Sequence, residues 1–215
     1  MQMALRYLRE IQDSVVVWIG TLAMGQRSHL LIMIVPPGGE ADTRGDFAAQ
    51  RIGQMAEYGA DLALLDRIIL MTALTVELIE EAIQHIKRDL CPYYPVPLVV
   101  VDNISVPFRI LPLSDIERRI AAIRRVGLAL RELLLLLPTC LLITNHMTTR
   151  FIDAERSRLV PALGDNWAIM TDLRLLLEAR PRGRSMTILH SDLHEFGQRE
   201  LLFSITTRGI EPVLG

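Results

Sequence analysis

Asp102 is the residue of this chain best placed to do chemistry. It follows residues 98–101 (LVVV), a short continuous apolar run opened by Pro97 and closed by Asp102-Asn103. A run of that length predicts a central strand buried on both faces. Asp102 then sits at the carboxyl end of the strand, where open α/β sheets bind their ligands. A carboxylate there can hold the magnesium of a bound nucleotide. The plainer alternative is a residue that only turns the chain or caps a helix. A second stretch, residues 20–27 (GTLAMGQR), has the glycine spacing of a phosphate-cradling loop, G-x-x-x-x-G-K-[ST]. Such a loop needs a lysine for the phosphates and a hydroxyl for magnesium. Behind Gly20 and Gly25 those places carry Gln26 and Arg27.

Other chemistry-bearing residues have a sharp and a plain reading. His190, Asp192 and His194 alternate, so a strand would put them on one face, where they could bind zinc. An exposed turn is the plainer expectation. His146 follows Asn145 at the end of another apolar stretch, residues 139–144. Arg150, Arg156 and Arg158 could contact the phosphates of single-stranded DNA. Against this, Asp153 and Glu155 are interleaved and Phe151 is the one aromatic nearby. Arg118, Arg119, Arg124 and Arg125 recur at helical spacing and read as a solvated face, or as a partner-binding one. Trp18 and Trp167 read as core or interface anchors.

These residues need a scaffold, and the composition supplies one. The 215 residues are 50% apolar and 22% charged, enough for one full-sized domain with a sizeable core. A net charge of −2 gives no global drive towards nucleic acid or membrane, so any polyanion site must be a local patch. The two cysteines, Cys91 and Cys140, have no metal-type spacing and favour a reducing compartment. Residues 1–13 read as an amphipathic helix rather than a secretory signal. The apolar stretch 126–143 is broken by Arg131, Glu132 and Pro138, and falls short of the roughly 20 residues a membrane span needs.

In chain order, residues 14–20 (SVVVWIG) predict a buried strand. Residues 28–35 are open between helix and strand, ending at Pro36-Pro37-Gly38-Gly39. Residues 47–58 have helical periodicity, 68–71 predict a short strand, and 75–89 a helix. Ser114-Asp-Ile-Glu117 is a capping box opening a long helix to about Leu136. Residues 139–144 predict a buried strand, and 148–166 a mobile polar loop. Residues 173–177, 186–189 and 201–205 predict short strands separated by charged turns. Strands alternating with helices, followed by a strand-rich tail, predict an α/β fold: a mostly parallel central sheet flanked by helices, with an antiparallel C-terminal extension. The expected division is a helix over 1–13 and a core domain over 14–215.

Several segments, in this order, resemble the ATPase core of RecA-type recombinases, and above all the eukaryotic recombinase paralogues. Thr43-Arg-Gly-Asp-Phe47 with Arg51 resembles the family's T-E-G-x-F segment. Residues 98–102 resemble its magnesium-site strand, and Val106-Pro-Phe-Arg109 the paralogues' continuation of it. Leu142-Ile-Thr-Asn-His-Met-Thr-Thr149 resembles the strand before the second DNA-facing loop. Leu159-Val-Pro-Ala-Leu-Gly-Asp-Asn-Trp167 resembles the P-A-L-G-x-x-W stretch of the paralogue branch. The resemblance covers roughly residues 15 to 210 and implies a RecA-like core for residues 14–215.

The departures from the family pattern set the chemistry to be expected. The family's water-orienting glutamate is matched by Arg44, its phosphate lysine by Gln26 and its magnesium hydroxyl by Arg27. Phosphoryl transfer rests almost wholly on positioned charge, so these losses imply a pseudo-ATPase with no catalytic residue. Gly20, Gly25, Gln26, Arg27, Arg44, Asp102 and His146 would line a degenerate nucleotide pocket, His146 at the family's γ-phosphate-sensing position. The resemblance implies DNA contacts from Arg109, Arg150, Arg156 and Arg158. It also sets His190 and Asp192 where family members reach a neighbouring subunit's nucleotide. Neither metal nor cofactor is expected on this chain alone, ATP and magnesium being held by a partner subunit. The expected partners are an ATP-binding paralogue, a recombinase filament and single-stranded DNA, in the nucleus and not at a membrane. An atypical DNA-stimulated ATPase, with Arg27 standing in for the lysine, is the alternative. In either case residues 1–13 stand in place of the family's N-terminal helical domain.

Overall fold

The computed structural model describes residues 2–20, 31–34, 62–112, 114–151, 153, 156–181, 183–192, 200–206 and 208–213. The apolar runs become strands β1 (Val16–Gly20), β3 (Ile68–Thr72) and β4 (Leu98–Asp102), each buried along its first four residues. With β2 (Leu31–Ile34) and β5 (Cys140–Ile143) they form a five-stranded sheet in the order β2-β3-β1-β4-β5. The ladders β3-β1, β1-β4 and β4-β5 are parallel and β2-β3 is antiparallel. The stretch left open between helix and strand is thus a strand at residues 31–34. The middle strand is β1 rather than the strand that carries Asp102. Strand order is set by long-range packing, and β4 still has a neighbour on each side.

Two layers of side chains cover this sheet, as expected where strands read as continuous apolar runs. On one face Val17, Ile19, Ile69, Met71, Val99 and Val101 pack against helices α2 (Val76–His85), α3 (Ser105–Arg109) and α4 (Ile116–Leu136). On the other, Val16, Trp18, Ile68, Leu70 and Val100 pack against Ala4, Leu5 and Leu8 of α1 (Gln2–Glu10). Both tryptophans are core residues: Trp167 joins the first cluster from the short helix α5 (Gly164–Ala168). Arg67 fastens the start of β3 to the turn before β1, donating to the carbonyls of Ile11 and Ser14 at 2.7 Å each.

Helix α2 starts at the cap Thr75, whose hydroxyl accepts from Leu78 N–H at 3.3 Å. The long helix α4 starts one residue later than the capping box predicts. Asp115, not Ser114, accepts from Arg118 N–H at 3.0 Å, and a carboxylate suits the positive end of the helix. The basic cluster of α4 is partly internal. Arg125 clamps Glu80 of α2 at 2.9 Å, and Arg124 donates to Asn166 at 3.3 Å. Further along the helix, Glu132 pairs with Lys87 at 2.7 Å. β5 is half exposed rather than buried, because among the described strands it closes the sheet.

The predicted polar loop contains instead an antiparallel hairpin, β6 (Met147–Phe151) with β7 (Ser157–Pro161). Its turn is closed by Asp153, which accepts from Arg156 N–H at 2.9 Å and pairs with the guanidinium at 2.6 Å. Beyond α5 the chain forms a separate antiparallel sheet in the order β11-β10-β9-β8. Its strands are β8 (Leu173–Arg180), β9 (Gly183–Ser191), β10 (Glu200–Thr206) and β11 (Gly209–Pro212). Strands β8 and β9 run through most of the predicted charged turn. Arg180 stays in register by pairing with Glu178 and Glu200 and donating to Ser185 Oγ at 3.0 Å. The same contact with Arg180 holds the Glu200 carboxyl below its ordinary range.

The β8–β9 connection makes one residue irreplaceable. Gly183 has φ 115°, and a Cβ there would lie 2.9 Å from the backbone oxygen of Phe203. Gly183→Ala should therefore destabilise the chain by about 1–3 kcal/mol. The check is the denaturant midpoint, with an unchanged midpoint counting against this turn geometry.

Candidate functional site

The four parallel strands end together on Gly20, Thr72, Asp102 and Ile143, so Asp102 is the only ionisable side chain at those strand ends. Gly20 is level with Asp102 on one side and with Thr72 on the other. A Cβ on Gly20 would meet only Met71 O at 3.9 Å, an ordinary contact, so described neighbours do not require glycine there. Gly25, Gln26, Arg27 and Arg44 lie outside the described residues.

Asp102 is held by Thr144, the residue after β5. The threonine hydroxyl donates to Asp102 Oδ1 at 2.5 Å, while its N–H donates to Val101 O at 3.0 Å. The peptide joining Asp102 to Asn103 is cis. Asn103 Oδ1 then accepts from the N–H and the hydroxyl of Ser105, at 2.9 and 2.7 Å, a side-chain turn that launches α3. At the far end of α3, Arg109 Nη2 donates to His146 Nδ1 at 2.9 Å, and Ser105 Oγ lies 3.4 Å from the same nitrogen. An Nδ1 that accepts leaves the ring proton on Nε2. Arg109 and His146, which the resemblance set at DNA and in the nucleotide pocket, therefore meet in one cluster.

His146 also roots the hairpin. Ala162 N–H donates to His146 O, and Asn145 Nδ2 donates to Ala162 O, both at 2.8 Å. Directly opposed residues of an antiparallel pair share a face. Thr148 and Arg150 thus lie with Val160 and Arg158 on one face, and Met147, Thr149 and Phe151 with Ser157, Leu159 and Pro161 on the other. The second face is mixed and open, with Phe151 78% and Leu159 67% exposed beside Thr149 and Ser157. On the first, Arg150 stands directly across from Arg158. No carboxylate among the described residues pairs with either. Like charges so placed repel, and a phosphate between them removes the repulsion. Arg156 differs from them, because Asp153 already neutralises it.

The remaining sequence candidates lie apart from this cluster. His190 is part of β9, opposite Arg174, and its Nε2 pairs with Asp192 Oδ1 at 3.0 Å. His194 is outside the described residues, among which no group of three metal-type ligands occurs. Burial pushes both cysteine thiols up, which disfavours their reactive thiolates. Sequence reasoning passed over Thr144, Asn103 and Ser105. The available signal was a run of polar residues immediately after two apolar strands.

What this edge can do is limited. Magnesium needs near-octahedral oxygen ligation, usually one or two carboxylates with the phosphates themselves. Asp102 offers a single carboxylate with one oxygen already engaged by Thr144, and the guanidinium of Arg109 is engaged by His146. The described residues do not by themselves make up a magnesium–ATP site.

Comparison with known proteins places a relative beside this geometry. The chain is similar to DNA repair protein RAD51 homolog 3 of Cricetulus griseus, at 31% identity over 114 residues. The match takes in 53% of this chain and 30% of that protein, so the chain spans less than a third of the relative's length. No protein-family model matches the chain. The distant likeness supports the resemblance read from the motifs. The parallel sheet flanked by helices, with separate antiparallel sheets, is consistent with a RecA-like core. Among the described residues, no helix is long and apolar enough to cross a membrane.

Proposed function

We propose that this chain is a non-catalytic recombinase paralogue acting in homologous recombination. It pairs with an ATP-binding paralogue and promotes loading or remodelling of a recombinase filament on single-stranded DNA, in the nucleus. The observation that carries the reading is the hairpin rooted on the Asp102 edge, which presents Arg150 opposite Arg158. Paired guanidinium groups on an exposed two-stranded ribbon suit a phosphate backbone, and phosphate contacts bind without reading sequence. Similarity to a DNA repair protein supports this reading of the surface.

Gln26, Arg27 and Arg44 stand where a phosphoryl-transfer site needs lysine, hydroxyl and base. Asp102 alone remains of that apparatus, held by Thr144, and in this reading it stabilises the strand ends. ATP and magnesium then belong to the partner subunit. The exposed Met147, Phe151 and Leu159 of the hairpin are the kind of apolar side chains that a stable partner covers. The test is ATP binding and turnover by the purified chain, alone, with single-stranded DNA, and co-expressed with an ATP-binding paralogue. The reading expects nucleotide only in the co-expressed complex.

A further inference from the structure

Among the described residues, the C-terminal sheet ends on an open edge. In the order β11-β10-β9-β8, no described strand pairs with the outer side of β8. That strand is eight residues long, LRLLLEAR. Leu173, Leu175 and Leu177 are 44, 42 and 63% exposed. A long leucine-rich edge whose N–H and C=O groups meet no described strand is a template for another strand, and native proteins normally shield such an edge. Alternation puts Leu173, Leu175, Leu177 and Ala179 on one face, and Arg174, Leu176, Glu178 and Arg180 on the other. The irregularity beside Arg174 and Leu175 adds its extra residue, Leu189, to β9, so the alternation of β8 is unbroken. Arg174 Nε is buried without an acceptor among the described residues.

We propose that β8 pairs antiparallel with β8 of a second copy of this chain, about a two-fold axis through Leu176. Charge complementarity fixes both the partner and the register. With Leu176 facing itself, Leu175 faces Leu177, Leu173 faces Ala179 and Arg174 faces Glu178. Asp172, just before the strand, faces Arg180. Every charged residue from 172 to 180 then meets its opposite, and the second copy's Glu178 brings a carboxylate to the guanidinium of Arg174. Other registers fail. Moving the axis to Leu175 sets Asp172 against Glu178, and moving it to Leu177 sets Arg174 against Arg180; like charges directly opposed destabilise a ladder. A one-residue slip sets the leucine face of one copy beside the charged face of the other. The Arg131–Asp172 and Arg180–Glu178 contacts within each chain are exposed, and they rearrange or are shared on pairing. This contact lies in the C-terminal sheet, not at the Asp102 edge, and it stands whether or not the paralogue reading holds.

The test is sedimentation of the full chain across the micromolar range. A reversible dimer is expected. Arg174→Glu and Glu178→Arg each turn two facing pairs from attraction to repulsion, so each should weaken the dimer about tenfold or more. A one-to-one mixture of the two variants should dimerise again, because the reversed position 174 of one copy then faces the reversed position 178 of the other. Leu176→Cys should oxidise to a covalent dimer, since directly opposed Cα atoms lie about 4.5–5.5 Å apart, within disulfide reach. Ala179→Cys should not, its two copies being far apart in this register; wild type, with Cys91 and Cys140, is the control. A wild-type monomer throughout the range overturns the proposal. So does a dimer that ignores both reversals, or one that cross-links as readily through position 179 as through position 176.

Discussion

Truncating Phe108 to alanine should cost the fold about 3–5 kcal/mol, the usual loss when a fully buried aromatic leaves a cavity. Phe108 is 0% exposed, in the cluster between the sheet and helices α2 and α4. It belongs to the short helix that begins with the Asn103–Ser105 turn and ends on Arg109. That helix has five residues, too few to hold itself, so the buried ring fixes it against the core. Domains commonly keep only about 5–15 kcal/mol in total, so Phe108→Ala should leave a marginal protein. Phe108→Leu, which keeps more of the volume, should lose less. Urea unfolding of the two variants checks this. A Phe108→Ala unfolding free energy within about 1 kcal/mol of wild type would mean that the site's helix is not anchored by its core residue.

The second large effect concerns DNA. Replacing Arg150 and Arg158 together with alanine should weaken single-strand binding by the assembled complex to a similar degree on any sequence. Each lost phosphate contact should flatten the log–log salt dependence by about 0.7, so the pair should flatten it by about 1.4. Arg156→Ala should do much less, because Asp153 already neutralises Arg156 and the hydrogen bond closes the turn. Assembly with the partner should survive the double substitution, since the two guanidinium groups are exposed and the hairpin is anchored at Asn145 and His146. Titration by fluorescence anisotropy at several salt concentrations measures both quantities. An unchanged slope in the double variant would assign DNA contact to the partner alone.

How far the fold was legible follows from where its information lies. β1, β3 and β4 could be read because a strand buried on both faces must be apolar throughout, and their sequences are. Helix α4 could be read from its start signal, with the cap one residue displaced because Asp115 takes the N–H of Arg118 and the helix begins after it. The hairpin β6–β7 was hidden because neither of its faces is buried, so its residues carry the polarity of a loop. The ends of β8 and β9 were hidden for a related reason. Arg180 and Arg184 look like turn residues until Glu178, Glu200 and Ser185 are seen beside Arg180 on one sheet face. Of the site, Asp102 was visible as a carboxylate closing an apolar run. Its partner Thr144 and the pairing of Arg109 with His146 depend on β5 lying beside β4, which local sequence does not encode.

In the reading proposed above this chain does not hydrolyse ATP, and turnover tests that most directly. Chain freed of contaminating ATPase, assayed with and without single-stranded DNA, should release phosphate no faster than the buffer control. Asp102→Ala should behave identically, because in this reading Asp102 braces the strand ends beside Thr144 and serves no phosphoryl transfer. DNA-stimulated turnover that Asp102→Ala abolishes would contradict the claim, and would make this an ATPase with an atypical phosphate loop.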